Sequence, residues 1–164
     1  MTRTSLDHHN CSFARTVDII GDRWSLMILR DAFYGVRRFS EFKRRLGVTQ
    51  GILSSRLAQM VKRGLLDKHL LDDTSSREEY RLTASGRAMF PIVVAIMQWG
   101  DDHIHSTDGP PIRLFDKGSQ QVLDALTVCV GGEPLALQNV GFEPGPNASS
   151  ATISEFEKVA RKAL

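Results

Sequence analysis

The stretch from Phe39 to Leu82 constrains the fold more than any other part of this 164-residue chain. It contains two short amphipathic helical patterns separated by a glycine, followed by two strand patterns around a polar turn. Ser40 is predicted as the N-cap of the first helix, and Thr49 as the N-cap of the second, which ends at Gly64. Two helices, a tight turn and a hairpin together form the plan of a winged helix-turn-helix.

The second of these helices has an apolar face and a polar face. Ile52, Leu53 and Leu57 begin an apolar series with spacings of three and four residues. The polar face suits the reading of base edges, because glutamine pairs with adenine, and arginine or lysine pairs with guanine or phosphate. The candidate groove contacts are Gln50, Gly51, Ser54, Ser55, Arg56 and Gln59, and Lys62 in the last turn is a candidate phosphate contact.

Positive charge is concentrated in the same stretch. Residues 37–63 hold eight basic residues and one acid, whereas the net charge of the whole chain is only +2. A local basic patch favours phosphate binding because each neutralised phosphate releases counterions. The alternative is a solvated helical face, which most charged runs are. The candidate phosphate contacts are Arg38, Ser40, Lys43, Arg44 and Arg45, with Arg77 just beyond the hairpin tip.

Helical patterns flank this unit on both sides. Asp22 is predicted to cap a helix from Arg23 to Phe33 that is apolar nearly all round and therefore central to the core. Thr83 is predicted to cap a long helix from Ala84 to about His105, kinked at Pro91. The apolar stripe of that helix favours packing against the first helix of a second subunit in a two-fold dimer. The alternative is that the stripe covers the core of its own subunit.

The composition changes after residue 105, so we expect one domain over residues 1–105 and a small appendage over 106–164. Gly109-Pro110-Pro111 lies at this boundary. The appendage has five basic and seven acidic residues, which disfavours DNA binding. Alternating patterns predict a small β-meander, followed by a short amphipathic helix from Ser154.

Residues 11–100 resemble the HxlR family of bacterial winged-helix transcription regulators. The resemblance rests on the runs CSFARTVDIIGDRWSLMILRDAFYGVRRFSEFKRRL, GILSSRLAQMVKRGL and EEYRLTASGRAM, followed by WG. It implies a homodimeric, DNA-binding protein without enzymatic activity, with Gln50–Arg56 in the major groove of a pseudo-palindromic operator. We further expect a repressor. The overall expectation is a mainly α fold with a β-hairpin wing.

The chain departs from the family pattern at three places. Gly51 stands where the family often has a basic residue, and the wing tip reads DDTSSR rather than being proline-rich. The appendage resembles a degraded zinc ribbon that retains Cys129 but not the two thiolate pairs a tetrahedral zinc site needs. We therefore expect a metal-free remnant and no cofactor.

Three groups of residues are candidates for a regulatory switch. Cys11 lies at the start of the first helix, where the helix dipole and Arg15 favour the thiolate, so it is a candidate redox sensor; the alternative is a buried, inert cysteine. A metal site of His8, His9, His103 and His105 with Cys11 has no diagnostic spacing, and surface histidines are the alternative. A small-molecule effector pocket or a dimer core is predicted from Trp24, Phe33, Met89, Val93, Met97 and Trp99, each of which could equally be plain core.

Other function classes find little support. The longest apolar run is too short to span a membrane, and the N-terminus has no apolar signal core, so we expect a cytoplasmic protein. No nucleophile elbow, phosphate-binding glycine loop or His-Glu-x-x-His motif indicates an enzyme. The remaining alternative is a winged-helix protein-interaction module that does not touch DNA.

Overall fold

A computed structural model describes residues 5–70, 78–104 and 109–162. The predicted wing tip with Arg77, and His105, lie outside the described residues. The chain divides into two compact units, residues 19–126 and residues 1–18 with 127–164. The domain boundary predicted near residue 105 falls in a stretch that is not described, and it stays a prediction. No described helix is long and apolar enough to cross a membrane.

The first two helices follow the sequence pattern. Helix α1 spans Ser12–Ile20 and helix α2 spans Arg23–Phe33. Asp22 caps α2 as predicted, its Oδ1 accepting from the backbone N–H groups of Trp24 and Ser25 at 3.0 and 3.1 Å. Ile28 and Leu29 are completely buried, so α2 is a central element of the core.

The two helices of the predicted reading unit are α3 (Phe39–Leu46) and α4 (Gln50–Lys62). Gly47 ends α3 in the left-handed conformation at φ +62°, where glycine has no steric cost. Thr49 is the N-cap residue of α4, although its side chain makes no capping hydrogen bond. The two helices bury Phe42, Leu53 and other apolar side chains in the core shared with α2.

The N-cap predicted at Ser40 is wrong. Helix α3 starts two residues earlier than Ser40 requires, with Arg38 at the N-cap in an extended conformation. The Arg38 N–H donates to Oε2 of Glu41 at 3.3 Å, which is the contact that a glutamate at the third helical position makes in a capping box. Ser40 is an exposed residue in the first turn of α3.

The wing is an antiparallel pair of strands, β1 (Leu66–Leu70) and β2 (Glu78–Leu82), with Leu66 opposite Leu82. A bridge between Arg38 and Glu79 ties β2 to the segment before α3, and the Tyr80 N–H donates to the Arg37 carbonyl at 2.8 Å. Leu66 and Tyr80 are buried. The base of the wing is therefore fixed to the helical core.

The single long helix predicted after the wing is two helices, α5 (Ala84–Ala88) and α6 (Phe90–His103). Thr83 caps α5 as predicted, its Oγ1 accepting from the Gly86 N–H at 2.9 Å. Pro91 lies in the first turn of α6, where its missing N–H has no helical partner to lose. The proline thus starts a new helix instead of kinking a continuous one.

The C-terminal prediction is only partly met. In the unit of residues 19–126, the Gln98 side chain of α6 donates a hydrogen bond to the Asp124 carbonyl at 2.9 Å. It also accepts one from the Leu126 N–H at 2.8 Å. In the other unit, two-residue strands β3 (Cys129–Val130) and β4 (Glu133–Pro134) form a hairpin, and helix α7 spans Ser150–Lys162. The described residues 109–162 form no β-meander. Glycine and proline are frequent in this stretch, and both disfavour the interior of a sheet. The zinc-ribbon likeness is not confirmed.

Gly86 sits against backbone, and we predict that Gly86→Ala destabilises the fold. A Cβ atom at Gly86 would lie 2.0 Å from the Leu65 carbonyl oxygen, so the strand or the helix must shift. The expected loss in unfolding free energy is about 1–3 kcal/mol, measured by urea denaturation.

Gly51→Ala is the matched control, because a Cβ atom there meets nothing within 4 Å in a helical backbone. Alanine should stabilise α4 by about 0.5–1 kcal/mol. Equal effects of the two substitutions would contradict the close approach of α5 to Leu65.

Candidate nucleic-acid interface

Packing against the core decides which face of α4 is exposed. Leu53, Leu57 and Met60 are at most 1% exposed and hold the apolar side of the helix inward. Gly51, Ser54, Ser55, Ala58 and Lys62 are exposed on the opposite side. The exposed face is therefore mostly polar and rich in small residues until its last turn, although Ile52 is also 40% exposed.

Small side chains allow another molecule to approach the helix backbone closely. A Cβ atom at Gly51 would have nothing within 4 Å, so the surface there is open. Hydroxyls of Ser54 and Ser55 can both donate and accept hydrogen bonds, and Gln50 is exposed at the first helical position. The first two turns of α4 thus present hydrogen-bonding groups without bulk.

Arg56 is held at the side of this face by the protein itself. Its Nε lies 3.3 Å from Oδ1 of Asp22, the residue that caps α2. Its Nη1 donates to Oε1 of Gln59 at 2.7 Å. Arg56 and Gln59, both predicted groove contacts, are therefore bonded to each other, and Arg56 links α4 to the start of α2.

Arg45 is also engaged within the protein. Its Nε and Nη2 donate to the two carboxylate oxygens of Asp31 at 3.1 and 3.3 Å. Asp31 is completely buried and also accepts from Arg30 at 2.8 Å. The hydrogen bond to Asp31, with the charge of that carboxylate, raises the pKa of Arg45. Two arginines thus compensate one buried carboxylate, and both lie near the ring of Tyr34.

The other predicted phosphate contacts differ in whether they already form ion pairs within the protein. Lys43, Arg44 and Lys62 are exposed and form no ion pair within the described part of the chain. Arg38 lies 3.9 Å from Oε1 of Glu79 and is only loosely paired. Three cations near α4 therefore remain available for an anionic partner.

Sequence reasoning missed the acidic partners of these arginines. Asp22 was identified only as a helix cap, and Asp31 was not singled out. One signal for Asp31 was present, because a carboxylate inside the otherwise apolar helix RWSLMILRDAF needs a cationic partner when it is buried. The identity of the partner arginine depends on how α2 and α3 pack, and no local sequence pattern indicates it.

The residues predicted as an effector pocket or dimer core are spread over different environments. Val93 is buried in the core, and Trp24, Phe33, Met89 and Met97 are partly buried against it. Trp99 is 59% exposed and stacks on His103 at a centroid distance of 4.9 Å. Most of the set is therefore core, as the alternative held, and Trp99 lies on the outer face of α6.

Cys11 is exposed and lies immediately before α1. Its Sγ is 3.5 Å from the backbone nitrogen of Ala14, whose N–H points to it as to a capping group. The alternative of a buried cysteine is therefore wrong for Cys11. Among the described residues, no group of three histidine, cysteine or acidic side chains could hold a metal ion.

The comparisons with known proteins agree with this geometry. The family model for HxlR-like helix-turn-helix proteins matches residues 19–108. The transcriptional regulator MT3179 of Mycobacterium tuberculosis (strain CDC 1551), described as HTH-type, is 43% identical over 144 residues, which cover 87% of this chain and 91% of that protein. The chain belongs to the HxlR family of helix-turn-helix transcriptional regulators.

Two solved structures extend the likeness. The crystal structure of PA1607, described as a candidate transcription factor, has a TM-score of 0.80 and 42% sequence identity. The match covers 85% of this chain and 99% of the PA1607 chain. The redox regulator HypR in its oxidized form has a TM-score of 0.54 and 29% identity, covering 58% of this chain and all of its own. The mainly helical fold with a small antiparallel hairpin is thus confirmed.

Proposed function

We propose that this regulator binds a pseudo-palindromic DNA operator as a homodimer, with the polar face of α4 in the major groove. The observation that carries the proposal is the exposed face of Gly51, Ser54 and Ser55 beside three cations without ion-pair partners in the described residues. Such a face can approach base edges, while Lys43, Arg44 and Lys62 neutralise phosphates. We keep repression as the predicted sign of regulation.

The geometry ranks the predicted contacts. Gln50, Ser54 and Ser55 are free to meet base edges directly. Arg56 must leave Asp22 to do so, and that exchange reduces its net contribution to affinity. Arg45 is committed to Asp31, so we assign it to stability rather than to phosphate binding.

Arg44→Ala and Arg45→Ala form a matched pair that tests this ranking. Arg44→Ala should weaken binding to a random duplex and reduce the slope of log K against log salt by about 0.9, since one phosphate contact is lost. Its melting temperature should stay unchanged. Arg45→Ala should leave the salt slope nearly unchanged and lower the melting temperature, because Asp31 keeps only Arg30. Fluorescence anisotropy and thermal unfolding measure the two effects.

The alternative, a protein-interaction module, predicts a different outcome. Duplex binding without salt dependence, or no duplex binding at all, would favour that module. A salt slope that falls equally in both variants would contradict the assignment of Arg45 to stability.

Dimerisation is proposed from the outer face of α6. Val93 and Val94 face the core and are at most 6% exposed, whereas Ile92, Ile96 and Trp99 are 40–59% exposed. These three are spaced by four and three residues, so they form one apolar stripe. Phe13 on α1 is 78% exposed and supplies a matching apolar group for the α6 of a second copy. One helix thus serves both its own core and an interface.

Ile96→Glu should convert the dimer to a monomer, because a carboxylate would be buried without a partner at the interface. Light scattering with size-exclusion chromatography measures the mass. Leu70→Glu is the control, since Leu70 is also an exposed aliphatic residue, 64% exposed, but lies on the wing. A dimer that persists in Ile96→Glu would rule out this stripe as the interface.

We also propose that Cys11 makes DNA binding responsive to oxidants. The thiol is exposed, so an oxidant can reach it, and it receives the backbone N–H of Ala14 at the start of α1. The structural likeness to the redox regulator HypR gives independent support.

The test uses the two exposed cysteines of the chain. Hydrogen peroxide should change the duplex affinity of wild type and of Cys129→Ser, but not that of Cys11→Ser. Anisotropy titrations before and after oxidation measure the change. An unaltered affinity in wild type, or an equal response in Cys11→Ser, would end the sensing proposal.

A further inference from the structure

A cavity of about 420 Å³ lies beside the wing, within the unit of residues 19–126. It is formed where both wing strands meet the end of α2, the segment before α3 and the first turn of α5. We call it the wing cavity. Its volume is in the range of small-molecule sites in proteins.

Arginines dominate the polar wall of the wing cavity. Arg37, Arg81 and Arg87 line it together with one carboxylate, Asp67. Arg81 forms an ion pair with Glu79 at 3.1 Å, so the positive charge of Arg81 is largely neutralised. Arg37 and Arg87 outnumber Asp67 by two charges to one, so the wall remains positive.

The two remaining guanidinium groups differ in how they are held. Arg87 Nη1 donates to the Leu82 carbonyl at 2.7 Å, which fixes the group at the edge of the cavity and leaves its other N–H groups to be satisfied. Arg37 has no ion-pair partner among the described residues. A carboxylate placed between them would gain charge-assisted hydrogen bonds of the kind that arginine forms best.

Part of the lining is apolar. Ala32, Val36 and Leu82 line the cavity and are only partly exposed. A ligand that joins a carboxylate to a small hydrocarbon group matches both kinds of lining residue.

The wing cavity is separate from the DNA-facing surface. No residue of α4 lines it, and neither do Lys43, Arg44 and Arg45 of α3. The residues Trp24, Phe33, Met89, Val93, Met97 and Trp99, predicted as an effector pocket, are also not part of it. It was not found from the sequence because its arginines come from three separate segments.

We propose that the wing cavity binds a small organic acid, with the carboxylate at Arg37 and Arg87 and the hydrocarbon group against Val36 and Leu82. Both strands of the wing contribute to the site, so a bound acid stabilises one position of the wing relative to α2 and α5. The binding itself does not depend on the proposed DNA-binding mode, but the regulatory consequence rests on it.

Ligand-observed NMR titration of the full chain without DNA tests the site, with benzoate and hexanoate as probes. At least one acid should bind saturably, whereas benzyl alcohol, which lacks the charge of benzoate, should bind at least tenfold more weakly. Arg37→Gln should weaken binding of the acid about tenfold, since it removes a charge-assisted hydrogen bond.

Two further variants separate the site from general charge effects. Ala84→Leu keeps every charge and adds bulk to the cavity lining, so it should weaken acid binding while leaving the melting temperature unchanged. Arg113→Gln removes an exposed arginine elsewhere in the same unit and should leave acid binding unchanged.

The proposal fails if neither acid binds saturably, or if Arg113→Gln weakens binding as much as Arg37→Gln does. It also fails if Arg37→Gln reduces duplex affinity and its salt slope without any effect on the acids, since the arginines would then contact the DNA backbone. Because the titration contains no DNA, a failure of the proposed operator binding leaves its outcome unaffected.

Discussion

The packing of α4 against the buried side of α2 is the contact on which the functional surface depends. Leu53, Leu57 and Met60 fix the rotation of α4, and a helix with three side chains at most 1% exposed cannot turn without opening the core. That rotation alone decides that Gly51, Ser54 and Ser55 face outward. The polar face is thus a consequence of core packing rather than of any local preference of the exposed residues.

Acidic residues then decide which arginines belong to the surface. Asp22 holds Arg56, and buried Asp31 holds Arg45 and Arg30, so part of the basic patch stabilises the helix-turn-helix unit itself. Since a buried carboxylate without cations is costly, the fold requires the pairs that Asp31 forms. The charge that remains for a partner is smaller than the sequence count suggests, and it is confined to fewer positions.

The sequence predicted the elements that depend on local pattern. Helix α2, its cap at Asp22 and the turn at Gly47 follow from periodicity and capping, and the structure confirms them. It failed at the start of α3, where Arg38 is the N-cap and Glu41 accepts from the Arg38 N–H, and it missed the tertiary pairing of Arg45 with Asp31. More strand was predicted for the appendage than the structure contains, because an alternating pattern over four residues does not provide a second strand to pair with. The wing cavity required the folded chain.

The central claim is that the polar face of α4 enters the major groove of DNA. The most direct measurement is methylation protection of guanine N7, which lies in the major groove, on an operator duplex obtained by selection from random sequence. The account predicts two protected segments about 10 base pairs apart on one side of the duplex, one for each α4 of a two-fold dimer. Unprotected guanines in a duplex that is fully bound, or protection of a single segment only, would contradict it.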